Sequence, residues 1–343
     1  MKLSFYTNFL ASILLIPNLI FAYQIGGDKK VEESKIRVNL TADDFSFPMS
    51  SFSNKITDFI TVAIYGTGDQ GSGVIIAQKD NDYYVLTANH VIGEILKGDV
   101  IEVQTLDGEY HDSKLLKSDE EIDAALIKFS SQNKYYKAFI STDVKPKTGL
   151  LVVSHGYALA SEEAKKRSLR KSIGRVITII EDNKDGYDLL YDAATNVGMS
   201  GGGIYSEFPL VPIKGSGETY DWIPYRKDLT EWEIQMAKSQ GVTFNHEEDK
   251  NNFSARLYQE NHPCEFFTTP VLIGIHGRSE SYRAGGKSGT SMGLNIHTLL
   301  SKFGPTLINE GITALPKERE TLIFKDGCPI YDAVNPYSQN KAN

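Results

Sequence analysis

From Asp58 onward the chain is cut every few residues by turn-forming residues, and helical periodicities are few. The runs between the cuts are short and rich in β-branched and aromatic side chains, the pattern of strands. Phe59–Tyr65, Gly73–Ala77, Tyr83–Thr87, Val100–Leu106, His111–Leu116 and Ala124–Phe129 form a first set. Their separators include Gly66-Thr67-Gly68-Asp69, Asp80-Asn81-Asp82 and Asp107-Gly108, the last a hairpin signal. After Lys145-Pro146-Lys147-Thr148-Gly149 comes a second set: Leu150–Ser154, Gly174–Ile180, Asp188–Tyr191, Gly202–Tyr205, Val271–His276 and Thr290–Asn295. Six strands followed by six predict an all-β protein of barrels or sandwiches. No segment recurs with a solenoid or propeller period.

Two helices are predicted within this frame. His297–Phe303 places Leu299, Leu300 and Phe303 on one side. Thr230 and Glu233 form a capping box, flanked by Leu229 and Ile234 as a hydrophobic staple, and Gly241 ends the helix. A length of 343 residues suggests two folded units, and 41% apolar with 23% charged residues is ordinary globular usage, which excludes a disordered or collagen-like chain. The net charge of −8 offers no basic face for nucleic acid.

The N-terminus reads differently. Lys2 precedes an apolar stretch ending at Ala22 that is broken by Asn8, Pro17 and Asn18, which suits a secretory signal peptide better than a membrane anchor. Residues 1–22 are therefore expected to direct secretion or periplasmic export, and no stable membrane insertion is expected after cleavage. Export permits a disulfide between the only two cysteines, Cys264 and Cys328; two buried free thiols are the other reading.

Three residues suit one chemistry. His90 follows a strand in Leu86-Thr87-Ala88-Asn89-His90-Val91, Asp123 opens the strand Asp123–Phe129, and Ser200 lies in Gly198-Met199-Ser200-Gly201-Gly202-Gly203. A serine hydroxyl needs a base to become nucleophilic. Histidine can take that proton and return it to the leaving group, with a carboxylate behind it fixing the tautomer. The glycines let the N–H groups of Gly198 and Ser200 turn toward a developing oxyanion. Asp119 is the rival carboxylate.

These motifs resemble those of trypsin-like (chymotrypsin-fold) serine peptidases, nearest the secreted bacterial branch that includes glutamyl endopeptidases. Gly71-Ser72-Gly73-Val74-Ile75 is similar to the strand ahead of the histidine. The His90, Asp123 and Ser200 segments are similar to the family's histidine, acid and nucleophile motifs. Leu272-Ile273-Gly274-Ile275-His276-Gly277 is similar to the strand that pairs with substrate. The resemblance covers roughly residues 58–206 and 271–303. It implies two six-stranded antiparallel β-barrels, a C-terminal helix, and a cleft where Ser200 is nucleophile, His90 base and Asp123 orienting acid. Met199 departs from digestive relatives, whose aspartate there receives a newly cut N-terminus.

In that fold the residues ahead of the nucleophile wall the P1 pocket. Ala194 argues against cleavage after Lys or Arg. Thr195 and His276 match the positions with which glutamyl endopeptidases hold a carboxylate, and Gly277-Arg278 stands in place of Trp-Gly. Arg278 supplies a further cation or faces water, and His276 binds substrate or merely caps the pocket. Glu or Asp at P1 and small or apolar P1 both remain open. His155 is read as a barrel-edge residue. The spacing of His111, His246, His262 and His297 suits no metal, and no cofactor is expected.

The implied layout is a signal peptide at 1–22, an extension or propeptide at 23–57, a first barrel at 58–145, a second at 146–303 and a tail at 304–343. Residues 207–270 form a large, partly helical insertion. They hold eleven acidic against six basic residues, yet ten aromatics, so part of the insertion should be folded. It serves as a lid or partner surface over the cleft, or as a remote elaboration. The expected function is a secreted serine endopeptidase acting on peptide or protein substrates. The alternative is a catalytically inactive protease-like binding module, since one fold hosts many functions.

Overall fold

The structure is a computed structural model. It describes residues 51–313 except 68, 95–99, 142–143, 161–165, 181–185, 215–219, 225–228, 240, 246, 248, 251–252, 255–266 and 280–289, and beyond them 323–325 and 328–330. The expected signal peptide, most of the 23–57 extension and Cys264 fall outside the described residues, as does the Cys328 side chain.

Six strands close the first barrel: β1 (Thr61–Tyr65), β2 (Gln70–Lys79), β3 (Asp82–Ala88), β4 (Ile101–Gln104), β5 (Tyr110–Asp119) and β6 (Ala124–Ser130), in spatial order β1-β2-β3-β6-β5-β4. Every pairing is antiparallel. The second barrel uses β7 (Leu151–Ala158), β8 (Ser168–Ile179), β9 (Leu189–Tyr191), β10 (Gly203–Lys214), β12 (Phe267–Ser279) and β13 (Ser291–Asn295), and closes through a β10–β7 pairing. β11 (Tyr220–Pro224) extends this sheet from β10, and β14 (Ile323–Lys325) pairs with β15 (Cys328–Ile330).

The hydrophobic runs are continuous rather than alternating because both faces of the central strands are covered. On β6, Ala125, Ile127 and Phe129 point into the first barrel with Tyr83 and Val85 of β3. Their neighbours Ala124 and Leu126, with Tyr84 and Leu86, face a second core shared with Tyr205, Leu272, Ile275 and Leu294 of the second barrel. Burying one such large side chain contributes about 2 kcal/mol, so this shared layer holds the barrels together. Val152, Leu189, Tyr191, Ile204 and Ile273 fill the second barrel.

Helices flank the barrels. α1 (Ser51–Ile60) runs straight into β1, so Phe59 and Ile60 are helical where the sequence suggested a strand. Ile60 still reaches the shared core, which is why its apolar character fits either pattern. α2 is the short turn Asn89–Ile92, and α3 (Glu231–Ser239) carries the expected capping box, with Thr230 N and Glu233 N each bonded to the other's side chain at 2.7 and 3.3 Å. α4 (Ile296–Asn309) is twice the expected length and packs Leu299, Phe303 and Leu307 on the shared core.

The 207–270 insertion prolongs the sheet before leaving it: β10 continues to pair with β12 from Glu207↔Pro270 to Leu210↔Phe267. Further along, the buried Asp249 meets Arg175 of β8 at 3.2 Å, tying the insertion to the second barrel.

Candidate active site

The antiparallel register of β3 and β6 sets Ala88 opposite Ala124, so the end of one strand lies beside the start of the other. The next residues on each side, in α2 and just before β6, are therefore forced together. Asn89 N–H donates to the Asp123 carbonyl at 3.1 Å. His90 is gripped twice by one carboxylate: its N–H donates to Asp123 Oδ1 at 2.8 Å, and its Nδ1 lies 2.7 Å from Oδ2. A carboxylate only accepts, so Nδ1 carries the proton and Nε2 is left as the basic nitrogen. Asp123 takes a left-handed φ of +49°, a conformation Asp tolerates better than most side chains and one typical of functional sites.

The hydrogen bond that His90 donates to Asp123 raises the His90 pKa above its ordinary value, against the opposing effect of burial. Burial alone would push the Asp123 carboxyl up, but bonds from His90 and Tyr187 outweigh it and hold the group below the usual carboxylate range. Asp119, the rival, lies at the end of β5 and pairs with Lys302 of α4 at 3.2 Å.

Ser200 sits in a tight loop braced from both barrels. Its carbonyl accepts from Ser72 N–H of β2 at 2.7 Å, and Gly201 N–H donates to the His276 carbonyl at 2.7 Å. His276 N–H returns a bond to the Gly202 carbonyl at 2.7 Å. Gly198 has φ of +94°, where a side chain would be strained and would meet Leu159 N and the Tyr157 carbonyl at 2.8 Å. The Val197 carbonyl accepts from Leu159 N–H at 2.9 Å, and the Gly198 carbonyl accepts from Ser72 Oγ at 2.8 Å. In a trans peptide the N–H points opposite the preceding carbonyl. Gly198 N–H is thus turned away from Leu159, and neither it nor Ser200 N–H has an internal partner among the described residues. That leaves two donors for an oxyanion.

No hydrogen bond joins Ser200 Oγ to His90 among the described residues. The two segments are nonetheless in contact: a side chain added at Gly201 would come within 2.8 Å of Ala88 N, and one at Gly71 would touch both Val91 and the Ser200 carbonyl. Triad bonds in unliganded sites are often long and tighten with substrate.

The expected P1 residues divide between two sets of neighbours: Thr195 meets the end of β12 and the start of β13, while Gly277 and Arg278 pack on Tyr187. Thr195 Oγ1 bonds Ser279 Oγ and lies 3.0 Å from Ser291 Oγ, which donates to the Ala193 carbonyl at 2.9 Å. His276 is 2% exposed, with Nδ1 2.7 Å from Tyr191 Oη. Burial, with the nearby His90 adding to it, lowers its pKa to about 4. It is therefore neutral at neutral pH. Arg278 is exposed and stacks 5.1 Å from the Tyr187 ring centroid. Gly277 is buried against the same ring. His155, read as an edge residue, is instead fully buried on β7 between β8 and β10, and lies 3.2 Å from Asp58 of α1.

Tyr187, ahead of β9, was not singled out by sequence pattern, yet its hydroxyl donates to Asp123 Oδ2. Among the described residues no group of three or more His, Cys, Asp or Glu is arranged to hold a metal ion.

Residues 71–207 match the family model of the trypsin-like peptidase domain. Over 134 residues the chain is 32% identical to the periplasmic pH-dependent serine endoprotease DegQ of Escherichia coli strain K12, covering 39% of this chain and 28% of DegQ. It is 28% identical over 189 residues to the serine protease Do-like HtrA of Lactococcus lactis, covering 51% of this chain and 44% of that protein. A probable periplasmic serine endoprotease DegP-like of Brucella suis is 32% identical over 136 residues, covering 39% of this chain and 24% of that protein. The chain thus spans less than half the length of each of these relatives. His90, Asp123 and Ser200 all fall within the span that is similar to the trypsin-like peptidase domain.

Proposed function

We propose that this chain is an exported serine endopeptidase that cleaves peptide or protein substrates through an acyl-enzyme. The observation that carries the reading is the double grip of Asp123 on His90, which leaves Nε2 basic, beside a loop with two N–H donors that have no internal partner among the described residues. Ser200 Oγ attacks the scissile carbonyl while His90 Nε2 takes its proton. The oxyanion is met by Gly198 and Ser200 N–H, each such donor contributing about 3 kcal/mol in comparable sites. His90 then passes the proton to the leaving amine, and water repeats the sequence on the ester.

For P1, the finer reading is Glu or Asp. The Thr195–Ser279–Ser291 hydroxyls would bind its carboxylate by hydrogen bonds. Small or apolar P1 is the alternative, favoured by the mutual satisfaction of those hydroxyls and the neutral His276. Residues 1–22 act as the export signal, 23–57 as extension or propeptide, and 207–270 as a lid over the cleft. The relatives named as periplasmic favour export.

The test is labelling of the purified protein with a serine-directed fluorophosphonate, followed by profiling on a peptide library. Labelling lost in Ser200→Ala is expected. No Ser200-dependent labelling under any activating condition would favour a non-catalytic binding module. Cleavage mainly after Lys or Arg would overturn the pocket assignment.

A further inference from the structure

We propose that Tyr187 is a positioning residue for the Asp123 carboxylate, linking the substrate-side strand of the second barrel to the His90–Asp123 pair of the first. The proposal rests on the reading of that pair as base and orienting acid.

Tyr187 is buried, and the loop that carries it docks on the turn leading into Asp123. Gly186, at φ of +77°, leaves so little room that a side chain there would come within 2.3 Å of the Glu121 carbonyl. The phenol is then delivered to Asp123 Oδ2, the same oxygen that faces His90 Nδ1. Two successive residues of β12 hold its ring. Gly277 presents bare main chain, where an added Cβ would lie 1.9 Å from Tyr187 Cε1. The Arg278 guanidinium lies 5.1 Å from the ring centroid. Gly277 and Arg278, expected from sequence to touch substrate, thus also fix the ring that supports the carboxylate.

The consequence is electrostatic as well as geometric. Asp123 accepts three donors: His90 N–H on Oδ1, and His90 Nδ1–H with Tyr187 O–H on Oδ2. Three donors on two oxygens stop the carboxylate rotating, and the phenol draws off part of its charge. Without the hydroxyl, the same carboxylate would hold the imidazolium proton more tightly. Among the described residues the other charged or titratable groups acting on His90 are Asp69 and the neutral His276, and neither bonds Asp123.

Tyr187→Phe keeps the ring and removes only the hydroxyl. The readout is NMR titration of His90 in protein carrying 13C-labelled histidine, with fluorophosphonate labelling and peptide cleavage alongside. The His90 midpoint is expected to move to higher pH. The plateau of kcat/KM should fall about tenfold, mainly through kcat, the size of losing one hydrogen bond to a charged group. Gly277→Ala, which displaces the ring, should shift the midpoint the same way and add no further shift on top of Tyr187→Phe. A purely structural role would leave the midpoint in place. An unchanged midpoint in folded Tyr187→Phe overturns the proposal. If that variant does not fold, an unchanged midpoint in Gly277→Ala does so. The titration needs no turnover, so a protein that never labels at Ser200 would sink the protease reading separately.

Discussion

Ser72 and Gly198 lie 126 positions apart in sequence, yet Ser72 Oγ donates to the Gly198 carbonyl at 2.8 Å while accepting from Tyr157 N–H at 2.8 Å. One buried hydroxyl from the first barrel therefore sets the orientation of the loop that carries the two N–H groups proposed to meet the oxyanion. Ser72→Ala would leave a carbonyl and an N–H without that partner, a loss of about 2 kcal/mol in unfolding free energy. With Gly198 free to turn, kcat should drop by more than KM changes. Urea unfolding and steady-state kinetics check both; a variant with unaltered kcat would show that the loop holds its shape without Ser72.

Asp123→Asn tests the tautomer directly. Asn tolerates the left-handed φ of +49°, so the backbone should survive. Its amide oxygen can still accept from His90 N–H, but its NH₂ then faces Nδ1 and forces the proton onto Nε2. Nucleophile activation is lost, and kcat/KM is expected to fall by about 10⁴-fold, the size of this error in other Ser-His-Asp sites. Peptide cleavage assays measure it. A fall below about tenfold would mean that Asp123 does not set the His90 tautomer.

The pairing of His90 with Asp123 could be read from sequence because both stand where a strand begins or ends, in motifs whose local pattern is informative. The twelve barrel strands were legible for the same reason, their turns being written in Gly, Asp and Asn. The contribution of Tyr187 was not legible. It depends on the absence of a side chain at Gly277, 90 residues away, and no local pattern records such a coincidence. Nor was the Ser72 hydroxyl, which reads as one small residue between glycines until β2 is set against the nucleophile loop. α1 was missed because Phe59 and Ile60 are apolar in either a helix or a strand.

His276 makes a prediction about stability and pH. Its folded pKa of about 4 lies below the ordinary 6.5, so the unfolded chain binds more protons between those values. Stability from this group is therefore full above about pH 6.5 and is lost as pH falls toward 4, by on the order of 3 kcal/mol. His155, lowered chiefly by burial and only partly supported by Asp58, acts in the same direction. His90 acts oppositely, since its raised pKa gives stability that is lost as pH rises. Urea unfolding from pH 4 to 7 should show a shallower decline in His276→Asn than in the unaltered protein. Parallel curves would contradict a neutral, buried imidazole.

The insertion makes the last prediction. It leaves the barrel where Leu210 pairs with Phe267, and it is tied back by the Arg175–Asp249 contact on β8. Joining Leu210 to Phe267 through a short turn would remove residues 211–266 while keeping the pairing from Glu207 to Leu210 that prolongs the sheet. If the segment overhangs the cleft, a short peptide, which can thread beneath it, should be cleaved at much the same rate in both proteins. A folded protein substrate should be cleaved several-fold faster by the shortened one. Asp249→Ala, which releases only the anchor and leaves the Arg175 guanidinium short of its carboxylate, should move folded-substrate cleavage the same way by less. Equal rates on both substrates before and after shortening would place the insertion away from the cleft.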